Sequence, residues 1–252
     1  IMSPNSIILL DIEGTITSKR FVTDTLFPYV RQHLSEYLTS NWNQEELKRD
    51  ITALKEQAET DKKTGVADFV PIPSEGTSNE VREAVSQNVL RQMDLDRKTT
   101  ALKSLQGHMW KYGYDSGKIV GHVYSDALEA IKKWAAQKKK IMIYSSGSIE
   151  AQKLLFKFSE HGDMTPYFCA HFDTTIGSKK EKTSYERIAS ECQASTADFT
   201  FYTDSVEGES GSCHSIFYFL ASRAMFVILI PRITEEDTVG PTYFQLLLNE
   251  IK

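Results

Sequence analysis

Short apolar runs that end in polar residues recur along the chain and predict buried strands. They cover residues 7–10, 140–144, 199–202 and 226–231. Their richness in Ile, Val, Leu and aromatic residues, with turn residues at the ends, is typical of strands in a sheet. The later runs alternate with segments of helical periodicity, and such alternation favours a parallel sheet with right-handed crossovers. The sequence therefore predicts an α/β fold.

Helical patterns fill the long interval between the first and second predicted strands. Apolar residues fall on one face of the first segment, whereas the second is rich in Glu, Lys and Ala and is predicted to be an exposed helix. The four predicted helices cover residues 26–38, 44–61, 79–93 and 97–112. They predict a mostly helical domain over residues 18–120, inserted into a core formed by residues 1–17 and 121–252.

Acids and hydroxyls follow directly after three of the predicted strands. Asp11 ends the first, Ser145 and Ser146 end the second, and Asp204 ends the third. Ligands of open α/β sheets bind outside the carboxyl ends of the strands, so these side chains are candidates for chemistry. A carboxylate such as Asp11 can attack phosphorus, and hydroxyls beside a helix that begins near Ser148 can hold a phosphate. The alternative is that these residues only form turns and helix caps.

A polar loop with two adjacent lysines precedes the helix before the third of these strands. Lys179 is the candidate for balancing charge on a phosphoryl group, and Lys180 is its rival, since loop lysines are usually only solvated. The Thr183-Ser184-Tyr185-Glu186 pattern that follows predicts a capping box at the start of the helix.

The candidate residues follow one another in the order strand–acid, strand–hydroxyl, loop–lysine and strand–acid. Six further segments are informative: DIEGT (11–15), LFPY (26–29), DRKTTALK (96–103), LQGHMW (105–110), YSSGS (144–148) and HFDT (171–174). The order resembles the haloacid dehalogenase superfamily of phosphotransferases, and the segments resemble its enolase-phosphatase family of methionine salvage. The resemblance implies a haloacid dehalogenase-like, parallel-sheet Rossmannoid core with an inserted helical cap domain that closes over the active site.

The resemblance also implies a Mg²⁺ cofactor and a phosphorylated diketone as substrate, 2,3-diketo-5-methylthiopentyl-1-phosphate. Asp11 is then the nucleophile and, with Asp204, a metal ligand, because Mg²⁺ prefers hard oxygen ligands. Glu13 is expected to contact the metal through its main-chain carbonyl and to transfer a proton through its carboxylate. Which residue removes the proton during enolisation stays open, and Glu13 is the best candidate. Lys179, aligned with the family lysine, is expected to bind the substrate together with Ser145 and Ser146.

The chain departs from the family pattern after Asp204. Gly208 stands where the family has a glutamate, and residues 210–220 differ from the family's alanine-rich helix. Two alternatives stay open. The first is a phosphatase for another small phosphate ester, which would carry the same catalytic motifs. The second is an inactive haloacid dehalogenase-like binding protein, which the atypical segment after Asp204 suggests.

Charge and cysteine content narrow the classes of partner. The net charge of −5 gives no broad basic face for nucleic acid. The three cysteines are odd in number and lack metal-ligand spacing, which is typical of reducing compartments such as the cytoplasm or nucleus. The apolar stretch 216–230 contains Arg223 and is too short to span a bilayer, so no membrane association is expected. We expect a monomer that binds a small molecule.

Overall fold

The chain folds into two compact units in a computed structural model that describes residues 7–204 and the backbone of residues 226–229. The second unit is Asp24–Ile119, and the first is made from the chain on either side of it. The atypical segment after Asp204, residues 205–225, lies outside the described residues. No helix in the described part is both long and apolar enough to cross a membrane.

Within the described residues, the first unit contains a sheet of five parallel strands. These are β1 (Ile7–Leu10), β2 (Lys140–Tyr144), β3 (Ala170–Phe172), β4 (Phe199–Thr203) and β5 (Phe226–Leu229). Their order across the sheet is β3-β2-β1-β4-β5. The central strand β1 is buried along its whole length, as a parallel strand covered on both faces must be, and this explains its unbroken apolar sequence. The predicted parallel α/β sheet is confirmed, although β3 had not been predicted as a strand.

Three helices of the first unit connect these strands. They are α5 (Ser125–Ala136), α6 (Ile149–Lys157) and α7 (Lys182–Glu191). Helix α6 begins where the sequence predicted, since the Ser148 hydroxyl accepts a hydrogen bond from the Ala151 amide at 3.2 Å. The predicted capping box at Thr183 is wrong, because α7 begins two residues earlier than that box requires, with Glu181 at the N-cap.

The second unit is a helical bundle. Its helices are α1 (Phe27–Ser40), α2 (Glu45–Thr64), α3 (Ser78–Asp94) and α4 (Thr100–Asp115). A π-helical segment, Phe21–Leu26, leads into α1. The prediction that residues 44–61 form an exposed helix is correct for the helix and wrong for its exposure. Leu47, Leu54 and Ala58 of α2 are buried in the core of the bundle, and most of the charged residues, other than the buried Asp50 and Asp61, occupy the other face.

Candidate active site

The carboxylate of Asp11 is buried and fixed at the carboxyl end of β1. Its amide donates to the Tyr202 carbonyl at 2.9 Å, which extends the pairing of β1 with β4 by one residue. Its Oδ1 accepts a hydrogen bond from the Ile12 amide at 2.7 Å, and its Oδ2 accepts one from the Thr203 hydroxyl at 2.8 Å. Charge-assisted bonds of this kind fix the orientation of an ionised carboxylate.

The Lys179 ammonium forms an ion pair with Oδ1 of Asp11 across 168 positions of sequence. Eight per cent of the Asp11 side chain and 26% of the Lys179 side chain are exposed. The ammonium also lies 5.9 Å from the centre of the Tyr144 ring, within range of a cation–π interaction. The structure therefore places together the acid and the lysine that sequence reasoning selected.

Asp204 lies beside the turn that follows Asp11. Its amide donates to the Thr15 hydroxyl at 2.9 Å, which ties the loop after β4 to the loop after β1. Gly14, between Asp11 and Thr15, has φ of 76°, and a Cβ there would lie 2.4 Å from Oδ2 of Asp204. Only glycine allows both this conformation and this close approach.

Lys19 forms a second ion pair at this sheet edge. Its Nζ lies 2.6 Å from Oδ2 of Asp204. Hydrogen bonding to Asp204 raises the pKa of Lys19, partly opposed by burial and assisted by the negative charges of Asp204, Asp11 and Glu13. The negative charges of all three predicted acids therefore act on the Lys19 ammonium. Sequence reasoning missed Lys19, because a lysine in a loop carries no signal of its own.

Glu13 lies in the turn itself and is half-buried. The turn is closed by a hydrogen bond from the Gly14 amide to the Thr17 carbonyl at 2.7 Å, next to a bridge between Glu13 and Thr17. This bond and the bridge fix the main chain at Glu13 within the turn.

The two candidate serines lie at the same edge of the sheet. Leu10 of β1 pairs with Ile143 of β2, so Ser145 follows one strand spacing, about 4.8 Å, to the side of the Asp11 loop. Ser145 is buried, and its amide donates to the Phe172 carbonyl at 3.2 Å, whereas Ser146 is exposed. The Ser146 side chain is therefore accessible to a solute, whereas the main chain of the buried Ser145 is fixed to the end of β3.

The oxygen atoms of this edge fit a magnesium ion. Within the described residues, no group of three or more His, Cys, Asp or Glu side chains is arranged to hold a metal. The structure supplies two carboxylates with side chains that are each 8% exposed, Asp11 and Asp204, and the sequence resemblance adds the main-chain carbonyl of Glu13. Mg²⁺ is typically bound by one or two carboxylates, with waters and substrate phosphate completing its octahedron. The chemistry of the donors therefore suits Mg²⁺.

Comparison with known proteins gives the same family as the sequence resemblance. Residues 6–211 match the haloacid dehalogenase-like hydrolases. Enolase-phosphatase E1 of Anopheles gambiae is 51% identical over 204 residues, covering 81% of this chain and 68% of that protein. Enolase-phosphatase E1 of Xenopus tropicalis is 47% identical over 207 residues, covering 81% of this chain and 79% of that protein.

A solved structure supports the assignment over most of the fold. The UTR4 protein of Saccharomyces cerevisiae superposes with a TM-score of 0.68 at 28% identity, covering 90% of each chain. The chain belongs to the haloacid dehalogenase-like hydrolases and, within them, to the enolase-phosphatase E1 family.

Proposed function

We propose that this hydrolase is a Mg²⁺-dependent enolase-phosphatase that converts 2,3-diketo-5-methylthiopentyl-1-phosphate to acireductone and phosphate. The printed name of its relatives, enolase-phosphatase E1, supports the two reactions, and the substrate is the one that the sequence resemblance implies. The observation that carries the chemistry is the Asp11 carboxylate, which is buried, oriented by two hydrogen bonds and paired with the Lys179 ammonium. Such a group is a pre-oriented nucleophile beside a cation that can balance phosphoryl charge.

Phosphoryl transfer assigns a separate task to each charged side chain. A carboxylate oxygen of Asp11 forms a bond to phosphorus while the bond from phosphorus to the ester oxygen breaks. Glu13 supplies the proton for the departing oxygen, and Lys179 balances charge on the phosphoryl oxygens. Water then hydrolyses the aspartyl-phosphate and restores Asp11. Asp11, Asp204 and the Glu13 carbonyl would hold Mg²⁺, which when bound neutralises the phosphoryl oxygens and aligns them.

Enolisation precedes this step and needs a base near the carbon next to a carbonyl group. Glu13 is our candidate, because it is the acid nearest in sequence to the nucleophile and its charge reaches the same region as that of Asp11. Ser145 and Ser146 bind the substrate phosphate at the end of β2, and the second unit acts as the cap domain. We keep the monomeric state, the absence of nucleic-acid and membrane partners and the cytoplasmic or nuclear location as parts of this proposal.

One assay separates the proposal from both alternatives. The purified protein is incubated with the diketo phosphate, with and without Mg²⁺, while enol absorbance and free phosphate are recorded. We expect both products only with Mg²⁺, and we expect Asp11→Asn to release no phosphate. Phosphate release from a generic aryl phosphate without enol formation from the diketone indicates a simple phosphatase. A folded protein that turns over neither compound indicates the binding protein, and turnover by Asp11→Asn refutes the nucleophile.

A further inference from the structure

The loop that carries Lys179 is held by side chains at every one of four consecutive carbonyl oxygens. The acceptors are the carbonyls of residues 176 to 179, and each donor comes from β2 or α7. The bonds run from Arg187 Nη1 to Ile176 at 3.2 Å, Tyr144 Oη to Gly177 at 2.9 Å, Ser184 Oγ to Ser178 at 2.8 Å and Tyr185 Oη to Lys179 at 2.9 Å. Loop carbonyls are ordinarily left to water, so four consecutive bonds of this kind are an unusual restraint.

Three of these donors are anchored in the core. Ser184 is fully buried, and Tyr144 and Tyr185 are 1% and 5% exposed. The two tyrosine rings lie 5.7 Å apart and both contact Phe201 of β4. Burial raises the pKa of both phenols, so both remain protonated donors at physiological pH. The hydroxyls are therefore fixed points against which the loop is held.

The loop backbone is shaped to meet these donors. Gly177 has φ of 132°, and a Cβ there would lie 2.1 Å from Oγ of Ser184. The main chain can approach the first turn of α7 this closely only because residue 177 is glycine. The Ser184 hydroxyl lies within the predicted capping-box segment, and in the structure it binds the loop.

We infer that Tyr144, Ser184 and Tyr185 are positioning residues, which fix the main chain of residues 177–179 and thereby hold the Lys179 ammonium on Asp11. A lysine is a point charge on a flexible stem, so its placement depends on a fixed α-carbon. Tyr144 contributes twice, through its hydroxyl on Gly177 and through its ring face beneath the ammonium. The inference rests on the proposed function only in assigning Lys179 to phosphoryl transfer.

Hydrogen exchange tests the restraint without any assay of activity. Tyr185→Phe and Ser184→Ala each remove one hydroxyl and leave the remaining side chain to pack. We expect amide exchange in a peptide spanning residues 174–182 to rise about 2- to 10-fold, the range that one lost hydrogen bond allows. Tyr37→Phe, at a buried tyrosine of the second unit, is the control and is expected to leave this peptide unchanged. Unchanged exchange in both loop variants overturns the inference.

A double-mutant cycle tests whether these hydroxyls act through Lys179. We expect Tyr185→Phe alone to lower kcat/KM for para-nitrophenyl phosphate about 10-fold, since small misplacements of a catalytic group are that costly. In a Lys179→Met background the same change is expected to have less than about a twofold effect. Equal losses in both backgrounds overturn the inference. If the wild type releases no phosphate while loop exchange still rises in the variants, the proposed function fails and the restraint stands.

Discussion

Each unit of the molecule buries a pair of aspartates, but the two units neutralise them differently. In the first unit Asp11 and Asp204, each with 8% of its side chain exposed, are paired with Lys179 and Lys19. Both lysines keep contact with solvent, and Lys19 has 62% of its side chain exposed. A lysine offers one mobile point charge, which a metal ion or a phosphate can displace or share.

In the second unit Asp50 and Asp61 are each 3% exposed at the side chain and are saturated by their partners. Both oxygens of Asp61 accept from the Arg97 guanidinium, and its Oδ1 also accepts from Gln57 at 2.8 Å. Asp50 Oδ2 lies 2.6 Å from Nδ1 of His108. Burial and pairing alone therefore do not identify a catalytic acid. The distinguishing feature is a partner that can be exchanged.

The largest expected effect is on stability, from Asp61→Asn. Removing one partner of a buried ion pair leaves the other charge uncompensated, so we expect a loss of about 3–5 kcal/mol in the free energy of unfolding. Denaturant titration measures it. Asp68→Asn is the matched control, because Asp68 pairs with Arg91 at 2.9 Å but is 72% exposed. That variant should lose less than about 1 kcal/mol. Equal losses in the two variants would mean that burial does not separate these pairs.

The next effect is on activity, from Lys179→Met. We expect kcat to fall about 10²- to 10³-fold, as for other deletions of a charge-stabilising group, with little change in the thermal midpoint. Steady-state kinetics and thermal unfolding measure the two quantities. Lys180→Met, at the exposed neighbouring position, is the control and is expected to retain activity. The opposite ranking would transfer the role to Lys180.

The sequence predicted the strand-end acids because each comes directly after an apolar run of strand length. A buried apolar run that stops at an acid predicts both the strand and the sheet edge at which Asp11 and Asp204 lie. The parallel order follows from the alternation of strands and helices. Such patterns can be recognised in a single sequence, because each lies within the residues of one strand or helix.

The partners of those acids could not be predicted in the same way. Lys19 and Thr203 contribute through contacts between segments that are distant in sequence, and nothing in their immediate neighbours distinguishes them from solvated or packed residues. Thr183 was misinterpreted as a helix cap, because a hydroxyl near a helix start is usually one. Likewise, the exposure of residues 44–61 was mispredicted because their Glu and Lys content was considered without the few apolar residues that form the buried face of α2.

A smaller effect should appear in the pH dependence of stability. His171 lies in the first unit with its Nδ1 3.1 Å from the amide oxygen of Gln152, a neutral partner, whereas His108 of the second unit meets a carboxylate. Burial, assisted by repulsion from Lys153, lowers the pKa of His171 to about 4. The unfolded chain therefore binds this proton first, and stability falls as the pH drops below about 6.5 and levels off near 4.

Between pH 7 and pH 5 this difference amounts to about 2 kcal/mol. His171→Asn should flatten the profile by that amount, while other titrating groups contribute equally to both proteins and cancel in the comparison. Denaturant titrations of the two proteins at several pH values measure it. Parallel profiles would show that the pKa of His171 is the same in the folded and unfolded chains, so that this residue contributes nothing to acid sensitivity.

The smallest expected effect concerns whether the partner of Asp204 is exchangeable. The proposed magnesium ion and the Lys19 ammonium both require the Asp204 carboxylate, so the lysine competes with the metal. The raised pKa of Lys19 keeps it charged throughout the neutral range, so the competition persists there. Exposed ion pairs contribute at most about 1 kcal/mol, so Lys19→Met should tighten Mg²⁺ binding about two- to fivefold.

Isothermal titration of the substrate-free protein with MgCl₂ measures this affinity directly and does not depend on turnover. Arg20→Met, which removes a neighbouring cation without touching that ion pair, separates the local exchange from a general change in surface charge. If both variants gain Mg²⁺ affinity equally, the loss of one positive surface charge in each explains the result. If Lys19→Met binds Mg²⁺ more weakly than the wild type, the lysine supports the metal site, and the contrast between exchangeable and saturated partners fails at Asp204. A gain confined to Lys19→Met shows that the first unit keeps its acids neutralised by groups that the reaction can displace.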